Sequence, residues 1–149
     1  MSTRVNRGNG WSFADRDQHK TLVNDPANAS DMRSFVADFF VKAEIPEHVV
    51  DEVLMAVGEV VANACRHGRR TTGPGQVAIR CEVHDHQLSV TVTDDGPGFD
   101  VERARQPQIP DVLSQGGRGF FLMRQLMDRV DVASSGRGTT VVLGRDLAR

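Results

Sequence analysis

The chain has 149 residues, enough for one domain with a buried core, and its 39% hydrophobic, 26% charged and 5% aromatic residues are those of an ordinary soluble globule. With 18 basic against 20 acidic side chains the formal net charge is -2, which offers no sequence-independent grip on nucleic acid. Cys65 and Cys81 make neither a CxxC pair nor a disulfide framework, the apolar runs are too short for a bilayer, and the polar start lacks a secretory core, so the expected location is the cytoplasm.

Residues 1–17 are expected to form a flexible tail ahead of a single domain over 18–149, with Trp11-Ser-Phe13 matching no pattern. Residues 19–24 form a candidate short strand, ended by Asp25-Pro26. Ser30 is expected to cap a helix running to about Ala43, with Met32, Phe35, Val36, Phe39 and Phe40 at helical spacing. Ile45-Pro46 breaks it, and a second helix follows over 47–67 until Gly68 and the turn-rich 71–75. The period then drops to two: Val77, Ile79, Cys81 and Val83 alternate with polar residues, as do Leu88, Val90 and Val92, and the link over 84–87 makes a hairpin. A Gly/Pro-rich polar stretch over 96–117 precedes a helix at 120–128 and strands at 129–133 and 139–143. Early helices and late strands predict an α+β fold, a two-layer sandwich whose mixed, mostly antiparallel sheet carries its helices on one face. The chain's 5 histidines lack cysteine partners at ligand spacing, and His84-x-His86 falls at a hairpin tip, a poor place for a metal.

Chemistry is concentrated in a few short stretches. On the second helix Glu59, Asn63 and His67 recur every fourth residue, on a different face from the apolar stripe of Val50, Val53, Leu54, Val57, Val61 and Ala64. Ala56, Gly58 and Ala62 beside them are small enough for something to lie against the helix, and a carboxylate with an amide oxygen suits Mg2+ and its waters. A plain solvated face would carry the same residues. Asp94 continues the inward parity of Leu88, Val90 and Val92, and an inward carboxylate demands a hydrogen-bond donor such as the adenine amine. Gly96 and Gly98 after it allow a sharp turn and close approach, although many strands end in an Asp-Gly turn. Gly116-Gly117-Arg118-Gly119 opens the Phe120 helix, and backbone amides at such a turn favour phosphate; a linker before a helix reads the same way. Thr139 after Gly138 shares parity with Val141 and Leu143, which aims its hydroxyl inward, toward Asp94 or a water shared with adenine.

In their order, Glu59-x-x-x-Asn63, Asp94-x-Gly96-x-Gly98-Phe99, Gly117-x-Gly119 and Gly138-Thr139 resemble the boxes of the Bergerat-fold ATPase superfamily, which includes gyrase and the histidine kinases. The resemblance covers residues 20–145. Within the superfamily, the stretch from Val57 through Glu59 and Asn63 to His67-Gly68 and the short segment between Phe99 and Gly116 are similar to the anti-sigma-factor serine kinases of bacterial partner switching. A histidine kinase would need a phosphoacceptor helix, and residues 30–43 hold no histidine.

That resemblance implies ATP and Mg2+ as ligands and a serine/threonine protein kinase as the activity. It assigns Asn63 to the metal, Asp94 to adenine with Thr139 in support, and Gly96 and Gly98 to close passage of the nucleotide. Gly117, Arg118 and Gly119 fall on the phosphates, His67 and Phe120 also line the nucleotide, and Glu59 becomes the general base toward a partner's hydroxyl. Arg103, Arg105 and Arg118 are alternatives for the γ-phosphate, in a segment that Pro107 and Pro110 stiffen. The implied partners are an anti-sigma-factor antagonist as substrate, a sigma factor, and a second copy of the chain. The alternatives are a nucleotide-gated regulator that transfers no phosphate and a detached catalytic domain serving a histidine on another chain.

Overall fold

Alternation of apolar and polar residues at period two builds the sheet, and each strand turns one set of side chains toward the helices. The computed structural model describes residues 5–7, 10–12, 16–67, 72–98 and 118–148, with 5–7, 10–12, 67 and 118–120 as backbone alone. Its strands are β1 (Val5–Arg7), β2 (Gly10–Ser12), β3 (Arg16–Val23), β4 (Gln76–His84), β5 (Gln87–Asp94), β6 (Arg129–Ser135) and β7 (Gly138–Asp146). The helices are α1 (Ala29–Lys42), α2 (Glu47–His67) and α3 (Arg118–Leu126). β1 and β2 pair with each other inside the segment expected to be a tail, and β3 already begins at Arg16.

The main sheet has the order β3-β4-β5-β7-β6, and every ladder in it is antiparallel. The parallel component of the expected mixed sheet is therefore absent among the described residues. Hairpins join β4 to β5 and β6 to β7, and β7 lies beside β5 running the opposite way. The β4–β5 link is tighter than expected: only Asp85 and His86 turn, at φ 48° and 65°, the left-handed pair that a twisted two-residue hairpin requires.

Val77, Ile79, Cys81 and Val83 from β4, Leu88, Val90 and Val92 from β5, and Val141 and Leu143 from β7 are buried on one face. Met32, Val36, Phe39 and Phe40 of α1 cover them together with α2, and Met123 of α3 joins the same core. The buried face of α2 is wider than the expected stripe, taking in Val49, Ala56 and Val60, while Val50 and Leu54 are half-buried. α2 lies against both α1 and α3 as well as the sheet, so it loses solvent on its flanks too. Ala56 thus belongs to the core and leaves no room for a ligand.

The start of α1 moved for a local reason. Asp25 Oδ1 accepts from Ala27 N at 2.9 Å and starts a 3-10 turn over Pro26–Asn28, which runs straight into α1 at Ala29. Ser30 therefore sits inside the helix and is not its cap; Pro26, with φ already fixed, begins the helical path a turn earlier. At the other end of the chain, Arg145 of β7 donates from Nη1 to the Leu126 carbonyl at 2.6 Å and lies 2.5 Å from Glu52 Oε2. One nearly buried guanidinium, 13% exposed, thereby ties β7 to α2 and to the end of α3.

Burial in this core, with the Asp17 and Glu82 charges adding to it, pushes the Cys81 thiol up to about 12. Cys81 should therefore stay unreactive toward a thiol reagent at about pH 8, where thiolate is the nucleophile. A thiol count should find no more than Cys65 in the folded protein and both cysteines in guanidinium.

Candidate nucleotide site

The site starts at the end of β5. Leu88, Val90, Val92 and Asp94 share one face, and Asp94 is 8% exposed. Its Oδ1 accepts from Gly96 N at 2.9 Å, which fixes the carboxylate against the turn that follows it. Across the β5–β7 ladder Asp94 faces Thr139, and across the next ladder Thr139 faces Ser134. Thr139 is buried with its hydroxyl inward, as parity predicts, but Oγ1 lies 2.8 Å from Ser134 Oγ. Of the two partners expected for this hydroxyl, Asp94 or a water shared with adenine, the first is not the one it meets: it pairs with Ser134, which the strand register places directly opposite.

Glycines let this turn close on the β6–β7 hairpin. Gly98 has φ 78°, and a Cβ there would run into the Ser135 carbonyl oxygen; Gly138 has φ 145°, and a Cβ there would meet the carbonyl oxygen of Asp94. The nearest neighbour of each is a backbone carbonyl, and at Gly98 the Ser134 hydroxyl is tight as well. Gly138 is thus part of the seat of Asp94.

The second half of the site lies on α2. Glu59 and Asn63 are half-exposed and one turn apart on the same face. Ala62 is half-exposed between them, and a Cβ added at Gly58 would meet nothing within 4 Å, so among the described residues nothing covers this strip of helix. Asn63 Oδ1 accepts from Arg66 Nη2 at 2.8 Å. The end of the helix is clasped by Asn24, fully buried, whose Nδ2 donates to the Ala64 carbonyl at 3.0 Å. Asn24 N donates to the Gly75 carbonyl at 3.0 Å, and Gln76 N donates to Asp95 Oδ1 at 2.9 Å. A short series of bonds therefore joins the Asn63 end of α2 to the Asp94-Asp95 turn.

Asn24, Ser134 and Arg66 were not singled out from the sequence. Asn24 carried a faint signal, a polar residue between a strand and Asp-Pro, whereas the other two depend on register and rotamer. Among the remaining expected residues, His67, Arg118, Gly119 and Phe120 are described as helical backbone only. Gly117, Arg103 and Arg105 lie outside the described residues. A cavity of about 280 Å³ lined by Thr93, Asp94, Ser134, Ser135, Arg137 and Thr140 opens on the face of the sheet away from α2, since Thr93 and Thr140 have the opposite parity to Asp94 and Thr139. It is separate from the α2 face.

Among the described residues no three His, Cys, Asp or Glu side chains gather as a metal cage. A lone amide oxygen such as that of Asn63 suits Mg2+, which keeps its waters and takes most of its other ligands from substrate phosphates.

A sheet covered on one face by helices, an acid closing an inner strand and a Glu–Asn pair on the covering helix define the class: a histidine-kinase-like ATPase domain. The model of that name, histidine kinase-like ATPase domain, matches residues 22–145, and the chain belongs to this family. Its relatives include the anti-sigma F factor of Bacillus subtilis, 35% identical over 127 residues that make up 82% of this chain and 86% of the relative. The anti-sigma F factor of Clostridium acetobutylicum is 36% identical over 126 residues, covering 81% and 87%. The serine-protein kinase RsbW of Bacillus velezensis is 36% identical over 105 residues, covering 66% and 65%. In structure, the chain is similar to the RsbU and RsbW domains of a Mycobacterium tuberculosis protein, with a TM-score of 0.68 and 20% identity over 90% of this chain. This chain corresponds to 33% of that longer one.

The crowding at Gly138 makes a direct expectation. Gly138→Ala should destabilise the fold by about 1–3 kcal/mol, the usual cost of a side chain forced into a strained backbone. Urea unfolding should show a lower midpoint at unchanged slope, and nucleotide binding should weaken with it because the Asp94 backbone must shift.

Proposed function

We propose that the chain is an ATP-dependent serine/threonine protein kinase that phosphorylates an anti-sigma-factor antagonist and, as an anti-sigma factor, holds a sigma factor while the antagonist is phosphorylated. The observation that carries this reading is the face of α2 on which half-exposed Glu59 stands one turn before half-exposed Asn63, with the small residues Gly58 and Ala62 beside them. The relatives named anti-sigma F factor and serine-protein kinase support it.

Asp94 accepts from the adenine amine, a donor that guanine lacks at that position. Thr139, fixed by Ser134, lines the pocket beside it. Gly96 and Gly98 carry the turn past the base, and Gly117, Arg118, Gly119 and Phe120 at the start of α3 serve the phosphates with His67. Asn63 would hold Mg2+, which would supply positive charge to offset that of the ATP phosphates. Glu59 accepts the proton of the substrate hydroxyl, whose oxygen forms the new bond to the γ-phosphorus as ADP leaves. Positioning supplies most of the rate in phosphoryl transfer, and a general base adds about 10²- to 10⁴-fold. A homodimer and a cytoplasmic location belong to the same reading; among the described residues no helix is long and apolar enough to cross a membrane.

Binding and transfer separate in the test. ATP or ADP with Mg2+ should raise the melting temperature, since a ligand at 100 times its Kd stabilises the native state by about 2.7 kcal/mol. Asp94→Asn should abolish most of that shift, and Asn63→Ala should remove mainly its magnesium dependence. Glu59→Gln should keep the shift and lose about 10²- to 10⁴-fold in radiolabel transfer to the cognate antagonist. Full transfer by Glu59→Gln removes its role as base, and saturable binding with no transfer by the native chain leaves a nucleotide-gated regulator in place of a kinase.

A further inference from the structure

We propose that Arg66 is an internal occupant of the metal-ligand oxygen, so that loading of Mg2+ is an exchange in which the guanidinium leaves Asn63 as the ion arrives. The proposal rests on Asn63 being the metal ligand. Arg66 Nη2 donates to Asn63 Oδ1 at 2.8 Å, from three residues further along the same helix. An amide oxygen has two lone pairs, so geometry alone would permit both partners. Charge does not: a guanidinium and a divalent cation on one oxygen repel each other at contact distance. The two states are therefore exclusive.

The displaced side chain has somewhere to go. Arg66 lies in the last turn of α2, where the carbonyl end of a helix favours a cation. The helix end does not depend on it, because Asn24 already holds the Ala64 carbonyl. Arg66 is exposed, so its departure disturbs no core packing. Nucleotide without metal has no need to break the Asn63–Arg66 bond, whereas metal does. Arg66 thereby sets the Mg2+ concentration at which the site fills without setting the affinity for the nucleotide itself. It is a positioning residue acting through Asn63.

Calorimetric titration of Mg2+ into the full chain saturated with ADP tests the exchange, since ADP avoids turnover. Arg66→Ala and Arg66→Gln should each lower the Mg2+ midpoint, by about 2- to 10-fold, the range for loss of one ordinary hydrogen bond, since exposure to solvent weakens this charged one. Affinity for ADP in excess EDTA and the ligand-free melting temperature should both stay at the native values. An unchanged or raised midpoint overturns the proposal, and so does a parallel change in EDTA, which would mark a phosphate contact or a structural effect. Asn63→Ala, titrated alongside, separates the two levels. Full magnesium dependence in Asn63→Ala would overturn the assignment of Asn63 and the exchange with it. Lost dependence in Asn63→Ala with a native midpoint in Arg66→Ala would overturn the exchange alone.

Discussion

Burying the Asp94 carboxylate at the end of β5 is costly unless donors meet it, and the chain around it is arranged to meet and to hold it. Gly96 N takes one oxygen through the turn, and Gly138 lets the next strand come within reach of the Asp94 carbonyl without a Cβ in the way. Thr139 stands opposite, and its hydroxyl is paired with Ser134. A hydroxyl fixed by a neighbouring strand cannot rotate freely toward the acid. The polar end of an otherwise apolar strand face is thus set by three strands at once, in a row that runs from Asp94 through Thr139 to Ser134.

The acid and the Glu59–Asn63 face belong to different layers, yet they are not independently placed. Asn24 takes the carbonyl end of α2 with its side chain and the turn before β4 with its backbone, and Gln76, next in that turn, donates to Asp95. Arg145 does the corresponding work further along, joining β7 to Glu52 of α2 and to the last carbonyls of α3. Exposed ion pairs contribute little, but a guanidinium at 13% exposure that also satisfies a helix-end carbonyl removes an otherwise unpaired group. These contacts fix how the covering helices sit over the strand ends.

Much of this was legible in the chain because strand parity is strict. Once Leu88, Val90 and Val92 were inward, Asp94 had to follow, and the same rule placed Thr139 with Val141 and Leu143. The periodic run of α2 likewise revealed Glu59 and Asn63 on a face of their own. What parity could not reveal was the register of the β6–β7 hairpin, which sets Ser134 opposite Thr139. Ala56 was misplaced because α2 packs against α1 and α3 as well as the sheet, which makes its buried face wider than its apolar stripe. The start of α1 was missed because Ser30 looks like a cap only if the proline-led turn before it is ignored. The Arg66 contact with Asn63 is a matter of rotamer, to which periodicity is blind.

The position of β3 adds a mechanical aspect. Among the described residues it is an edge strand, paired along eight residues with β4 and with no strand on its other side. Its last residue, Val23, leads directly into Asn24, the clasp on the α2 end. A shift of this edge strand would therefore pass through one side chain to the carbonyl end of α2, the helix that carries Glu59 and Asn63.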